Sequence, residues 1–142
     1  MLHGALVMKK LEGLDEAFRR AKVVFLSTYD GEKERSRQMT NFNGSPYETI
    51  WFPTEKGTRK VEDIKKNTAV KVTFPAGDKG EYYEITGEAS FEDPRVVSQK
   101  WEWWWLYWHP AQKDRFWFPR GETVERRVII NVKPLEAKLV KR

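Results

Sequence analysis

The 142-residue chain contains no cysteine, so it can form neither a disulfide nor a thiolate metal site. Histidine is almost missing: His3 and His109 stand far apart and in no motif spacing. A histidine metal centre or a Ser-His-Asp relay therefore has little to draw on, and no metal ligand is assigned. Long apolar runs are absent too, none approaching the roughly 20 residues that cross a bilayer. The opening "MLHGALVMKKLEG" lacks the apolar stretch and cleavage site of a secretory signal. The expectation is a soluble cytoplasmic protein with no membrane contact. Charge of one sign is scarce as well: 26 Lys and Arg face 21 Asp and Glu, a net charge of +5. Such a mild, dispersed excess suits an anionic ligand but does not mark a nucleic-acid binder.

What is present is enough for one core. Hydrophobic residues make up 39% and aromatics 14% of the chain, which excludes disorder throughout. The length is that of one domain, so residues 1–142 are read as a single unit, with no internal repeat and no low-complexity linker.

Periodicity sets the elements. Leu11, Leu14, Phe18 and Ala21 recur at helical spacing within Leu11–Lys22. "VVFLSTY" (Val23–Tyr29) is β-branched and aromatic and runs into Asp30-Gly31, a hairpin signal. Glu34–Phe42 reads as the return strand and Tyr47–Phe52 as a third, after a turn at Asn43-Gly44. Val61 and Ile64 give Thr58–Asn67 one helical face. Ala69–Pro75 and Glu81–Glu92 read as strands, and a helix opens after Asp93-Pro94. Arg126–Pro134 and Leu135–Val140 finish the chain as two more strands. About seven strands with short turns and a few helices predict a mainly β protein, an antiparallel barrel.

One stretch is chemically pointed. Thr58, Arg59 and Lys60 are consecutive where a helix begins. A helix N-terminus offers unpaired N–H groups and a partial positive charge. Cations there oppose the dipole unless an anion sits between them. "GTRK" lacks the spacer and Gly-Lys-Ser/Thr ending of a P-loop, and a solvated basic turn with Thr58 as an ordinary N-cap explains it equally well. Arg35 and Arg37 alternate on their strand and so share a face, from which Arg37 could approach the same anion.

The ordered set "SRQM" (Ser36–Met39), "IWFPT" (Ile50–Thr54), "GTRK" (Gly57–Lys60) and "IKKNTAVKVTF" (Ile64–Phe74), followed by "YYEITGEASFED" and the C-terminal "VIINVKPLEAKLV", resembles the pyridoxamine 5′-phosphate oxidase-like family, nearest to its general stress protein type. The likeness covers nearly all of the chain after residue 20. It implies an FMN-binding antiparallel split β-barrel and an oxidoreductase that transfers hydride or electrons through flavin. It also implies a homodimer with FMN at the subunit interface and a small-molecule substrate or electron donor. By position, Arg37, Gln38, Met39, Thr40 and Asn41 would lie along the flavin ring and ribityl chain. Phe52, Pro53 and Thr54 would flank it. Thr58, Arg59 and Lys60 would hold the 5′-phosphate. Arg37 would be either a third phosphate ligand or a group that stabilises negative charge on the reduced ring. No catalytic residue is assigned.

The chain also departs from the pattern. Thr68 stands where the family often has Pro, "EDPRVVSQKWEWWW" does not match the substrate-phosphate segment of true pyridoxamine phosphate oxidases, and "KLVKR" lacks their Arg-x-His. Oxidation of vitamin B6 is therefore not implied. Related barrels bind deazaflavin, so a deazaflavin-dependent reductase is the alternative on the same fold. "KWEWWWLYWHP" places Trp101, Trp104, Trp105 and Trp108 at helical spacing, as expected of a helix anchored on the barrel or at a dimer interface. Trp103 and Tyr107 lie off that stripe, and Trp103 and Trp117 are the candidates to border the flavin. A basic nucleic-acid-binding barrel is set lower, because its stacking aromatics would sit on strands between basic residues rather than in a helix.

Overall fold

The fold was taken from a computed structural model that describes residues 8–77, 79–108 and 126–141, for residues 104–108 the backbone only. Three helices and six strands follow in the order α1 (Leu14–Arg20), β1 (Val23–Tyr29), β2 (Glu34–Thr40), β3 (Ile50–Glu55), α2 (Arg59–Lys66), β4 (Ala69–Pro75), β5 (Tyr82–Phe91), α3 (Pro94–Trp108) and β6 (Arg127–Val140). All strand pairs are antiparallel, and the sheet order is β2-β1-β4-β5-β6-β3. The mainly β reading is correct, and the sheet is a curled six-stranded half-barrel of the split-barrel type.

Alternation builds the core. Val70, Val72 and Phe74 of β4, Ile50 and Phe52 of β3, Val24 and Leu26 of β1 and Ile130 and Val132 of β6 point inward and are almost fully buried. Leu14 and Phe18 of α1 close one end, with Phe18 edge-on to Phe74 at 5.4 Å. Val61 and Ile64 of α2 join the same cluster.

β2 and β3 are the two edge strands, yet Gln38, Met39 and Thr40 of one and Phe52 and Pro53 of the other line a single cleft of about 190 Å³. Among the described residues the sheet therefore curls until its two edge strands face each other. Pro53 fits an outer edge, where its missing N–H costs no ladder bond.

Three expected boundaries are corrected. The two final strands are one 14-residue strand, so six strands stand among the described residues instead of about seven. Pro134, read as a strand end, lies opposite Gly87 at a register shift between Thr86 and Gly87. A bulge tolerates the missing N–H there. Helix α1 begins at Leu14, not Leu11, because Gly13 is left-handed (φ 82°). The third strand is displaced to Ile50–Glu55; Tyr47 instead bonds the Leu11 backbone, accepting from its N–H at 3.0 Å and donating to its carbonyl at 3.2 Å. Among the described residues no helix is long and apolar enough to cross a membrane.

Candidate functional site

The β3–α2 turn passes through Gly57, whose φ of 81° is one that side-chain-bearing residues rarely adopt. It delivers Thr58 to the N-cap position of α2 in an extended conformation. The ordinary capping role expected of Thr58 is not what the side chain does. Its hydroxyl donates back to the Glu55 carbonyl at 3.0 Å, and no side-chain cap closes the helix. The first N–H groups of α2 are left for another acceptor. Arg59 is exposed, while Lys60 is half-buried.

Lys60 is the electrostatic oddity. Burial holds its ammonium below the usual lysine pKa, the charge of Arg37 lowers it further, and Glu55 offsets part of this. Among the described residues no carboxylate lies within ion-pair distance of it. Lys60 and Arg37, from a helix and a strand far apart in sequence, thus repel each other across a partly desolvated space. Such an arrangement is stabilised by a shared anion.

Arg37 is held from behind. Its Nη1 donates to Thr28 Oγ1 at 2.8 Å and to the Leu26 carbonyl at 3.3 Å, and its Nη2 stands 3.9 Å from Asp63 Oδ2. Asp63 is only 2% exposed. It accepts from Thr28 Oγ1 at 2.8 Å and from Arg35 Nη1 at 3.1 Å. Arg35 also pairs with Asp30 at 2.7 Å. The shared face expected for Arg35 and Arg37 is therefore real: both are half-buried, whereas Ser36, Gln38 and Thr40 are exposed.

The remaining candidates divide. Gln38, Met39, Thr40, Phe52 and Pro53 meet at the cleft between the sheet edges. Thr54 is buried on β3 beyond them. Asn41 is buried and its side chain is spent on the fold. Its amide donates to the carbonyls of Phe18 and Ala21 at the end of α1, and its oxygen accepts from Asn43. Trp103 stands 51% exposed on α3 and packs against Phe42 and Trp51 of its own chain, with ring centroids 6.0 and 5.9 Å apart. Phe42 and Trp51 meet edge-on at 4.7 Å, and Phe42 also lines the cleft. Of the tryptophan stripe, Trp101 lies under the Arg127 guanidinium at 5.2 Å. The side chains of Trp104, Trp105, Tyr107 and Trp108 lie outside the described residues, as do His109 and Trp117.

Sequence reading missed Thr28, Asp63, Phe42 and Trp51. Asp63 carried a usable signal: it lies three residues from Lys60 and next to Ile64, so it flanks the buried stripe of α2. Thr28 ends an inward-facing run on β1, and nothing in its own sequence marks it as a bridge between helix and strand.

Comparison with known proteins places the chain in a family. The family model described as pyridoxamine 5′-phosphate oxidase like matches residues 9–140. General stress protein 26 of Bacillus subtilis (strain 168) is 30% identical over 122 residues, which are 84% of this chain and 79% of that protein. The crystal structure of general stress protein 26 from Bacillus anthracis superposes with a TM-score of 0.62 at 24% identity, covering 91% of this chain and 92% of that one. The flavocytochrome Anf3 of Azotobacter vinelandii gives a TM-score of 0.70 at 10% identity, covering 96% of this chain and 69% of that one.

Proposed function

Because the chain belongs to the pyridoxamine 5′-phosphate oxidase-like family, we propose that it is an FMN-binding oxidoreductase, a homodimer that passes hydride or electrons between small molecules. The observation that carries this reading is Lys60: a half-buried cation facing Arg37 at an uncapped helix start, which is the donor set of a phosphate site. The likeness to a protein named a flavocytochrome agrees with a flavin-binding fold.

The donor chemistry fits the cofactor. Lys60 and Arg59 neutralise the 5′-phosphate, and the first N–H groups of α2 complete its hydrogen bonds, while the Thr58 hydroxyl, its proton given to the Glu55 carbonyl, holds the turn that presents them. Arg37 joins the phosphate rather than the ring, since Lys60 already feels its charge. Gln38, Met39, Thr40, Phe52 and Pro53 flank the ring and ribityl chain, with Thr54 just beyond. Asn41 contributes through its backbone only. Trp103, on its aromatic base of Phe42 and Trp51, borders the ring, as does Trp117. FMN supplies the redox chemistry; the chain binds it, orients it and sets its electrostatics.

The cleft of one chain, about 190 Å³, is smaller than the roughly 300–1,000 Å³ of a complete small-molecule site. A second copy completes it, in accord with the proposed dimer.

The test is direct. The purified protein should carry or take up FMN with a bound-flavin visible spectrum, and should run as a dimer in light scattering. Arg59→Ala with Lys60→Ala should weaken FMN on the order of a hundredfold while riboflavin, which has no phosphate, binds nearly as before. A protein that takes up a deazaflavin but not FMN would sustain the alternative reductase instead.

A further inference from the structure

The buried carboxylate of Asp63 is not consumed by any of the roles above. It lies on α2 one turn after Lys60, is 2% exposed, and draws three groups of the β1–β2 hairpin onto the helix. Thr28 Oγ1 donates to it at 2.8 Å, Arg35 Nη1 at 3.1 Å, and Arg37 Nη2 stands at 3.9 Å. Burying a carboxylate is costly unless it is paired and hydrogen-bonded. A helix held to a sheet needs only apolar contacts, and Val61 and Ile64 already supply them. The ionic network therefore calls for another explanation.

We infer that Asp63 is a positioning residue: it fixes the Arg37 guanidinium against the start of α2, so that Arg37 and Lys60 converge on one phosphate. This rests on the FMN-phosphate reading above.

The geometry is a relay. Thr28 Oγ1 takes a hydrogen bond from Arg37 Nη1 and donates one to Asp63 Oδ2, both at 2.8 Å, so its single hydroxyl links strand arginine to helix carboxylate. The Leu26 carbonyl occupies the other N–H of the same Nη1. Among the described residues Nη2 and Nε of Arg37 make no hydrogen bond, which leaves one edge of the fork for the anion. Arg35 sits between Asp30 at 2.7 Å and Asp63 at 3.1 Å, so it is a counter-ion rather than a ligand. Without Asp63, Arg37 and Lys60 would relax apart by repulsion, and binding would have to bring them back together.

The experiment compares dissociation constants for FMN and riboflavin, whose ratio isolates the phosphate. Asp63→Asn keeps the size and loses the charge; it should weaken FMN on the order of tenfold and leave riboflavin within about twofold. Thr28→Val, which removes only the bridging hydroxyl, should shift the ratio in the same direction by a smaller factor, and it decides the matter if Asp63→Asn does not fold. Lys60→Ala serves as the reference for the phosphate site. If Lys60→Ala loses FMN selectively while both variants weaken the two ligands equally, or neither, Asp63 is merely structural and the inference is overturned while the phosphate site stands. If Lys60→Ala itself fails to separate FMN from riboflavin, the phosphate reading fails and takes the inference with it.

Discussion

Lys60 concentrates the chemistry of this chain in one side chain. Its ammonium is held below the ordinary lysine pKa first by burial and then by Arg37. The sign of the pH effect follows. The protonated form binds a phosphate dianion, and a lowered pKa means that this proton leaves at a lower pH than from a free lysine. FMN affinity should therefore decline as pH rises through that lowered value, at a lower pH than a free lysine would give, while riboflavin affinity stays level. Lys60→Gln should start weaker and show a flatter alkaline limb, measured by flavin fluorescence titration at a series of pH values. The same residue also shows how little a motif says alone. "GTRK" was equally consistent with a solvated turn. The partner that changes its meaning, Arg37, lies on another strand, and only the tertiary fold brings the two within reach of each other's charge.

Elements depend on a few such fixed points. Gly87 sits at the bulge opposite Pro134, where an added Cβ would fall 2.6 Å from Val132 Cγ1 and 2.8 Å from the Lys133 carbonyl. Backbone cannot yield cheaply there, so Gly87→Ala should cost about 1–3 kcal/mol in urea unfolding, with the mainly β circular dichroism retained. Helix α3 has its own tether. Glu92 accepts from Asn131 Nδ2 at 2.9 Å and from Lys100 Nζ at 3.0 Å, and these bonds, Asn131 first, hold its pKa below the ordinary 4.5. A depressed carboxyl stabilises the fold above its unfolded pKa and loses that contribution as pH falls through the folded one. Glu92→Gln should thus cost about 1–2 kcal/mol near neutral pH, and its gap from wild type should narrow as the pH falls below the ordinary 4.5 and through the lowered folded value. Alternation and turn signals made β1, β4 and β5 legible in the sequence almost to the residue. β6 was split wrongly because a proline usually ends a strand, and here a bulge in β6 itself, at Leu135 beside Pro134, absorbs it. The resemblance singled out Gln38–Thr40 and Phe52–Pro53 as flavin contacts, and the structure brings them together at one cleft. Thr28 was not legible, and Asp63 only through its place beside the buried stripe of α2, since nothing in the sequence shows which strand groups will face it.

At the scale of the molecule the decisive fact is that, among the described residues, β2 and β3 are edge strands that face each other across a cleft. A closed barrel would link them by a ladder; this one leaves their backbone groups to be satisfied otherwise. β2 is held to the body through β1 and through the ion pairs of Arg35 and Arg37 with α2, and β3 through β6. A ligand lying between the edges, with its phosphate on the start of α2, would tie together three elements that otherwise have few direct contacts. The unfolded chain has no such site, so binding must raise stability by mass action. At a free FMN concentration about a hundred times the dissociation constant the gain is about 2.7 kcal/mol, which for a chain of this size raises the unfolding midpoint by about 5–10 °C. Riboflavin at the same concentration should raise it less, because it engages the cleft but not the helix start. The order of the two shifts is measured by differential scanning fluorimetry. An equal shift from both would show that the cleft alone carries the binding, and no shift from either would remove flavin from the edges of this sheet.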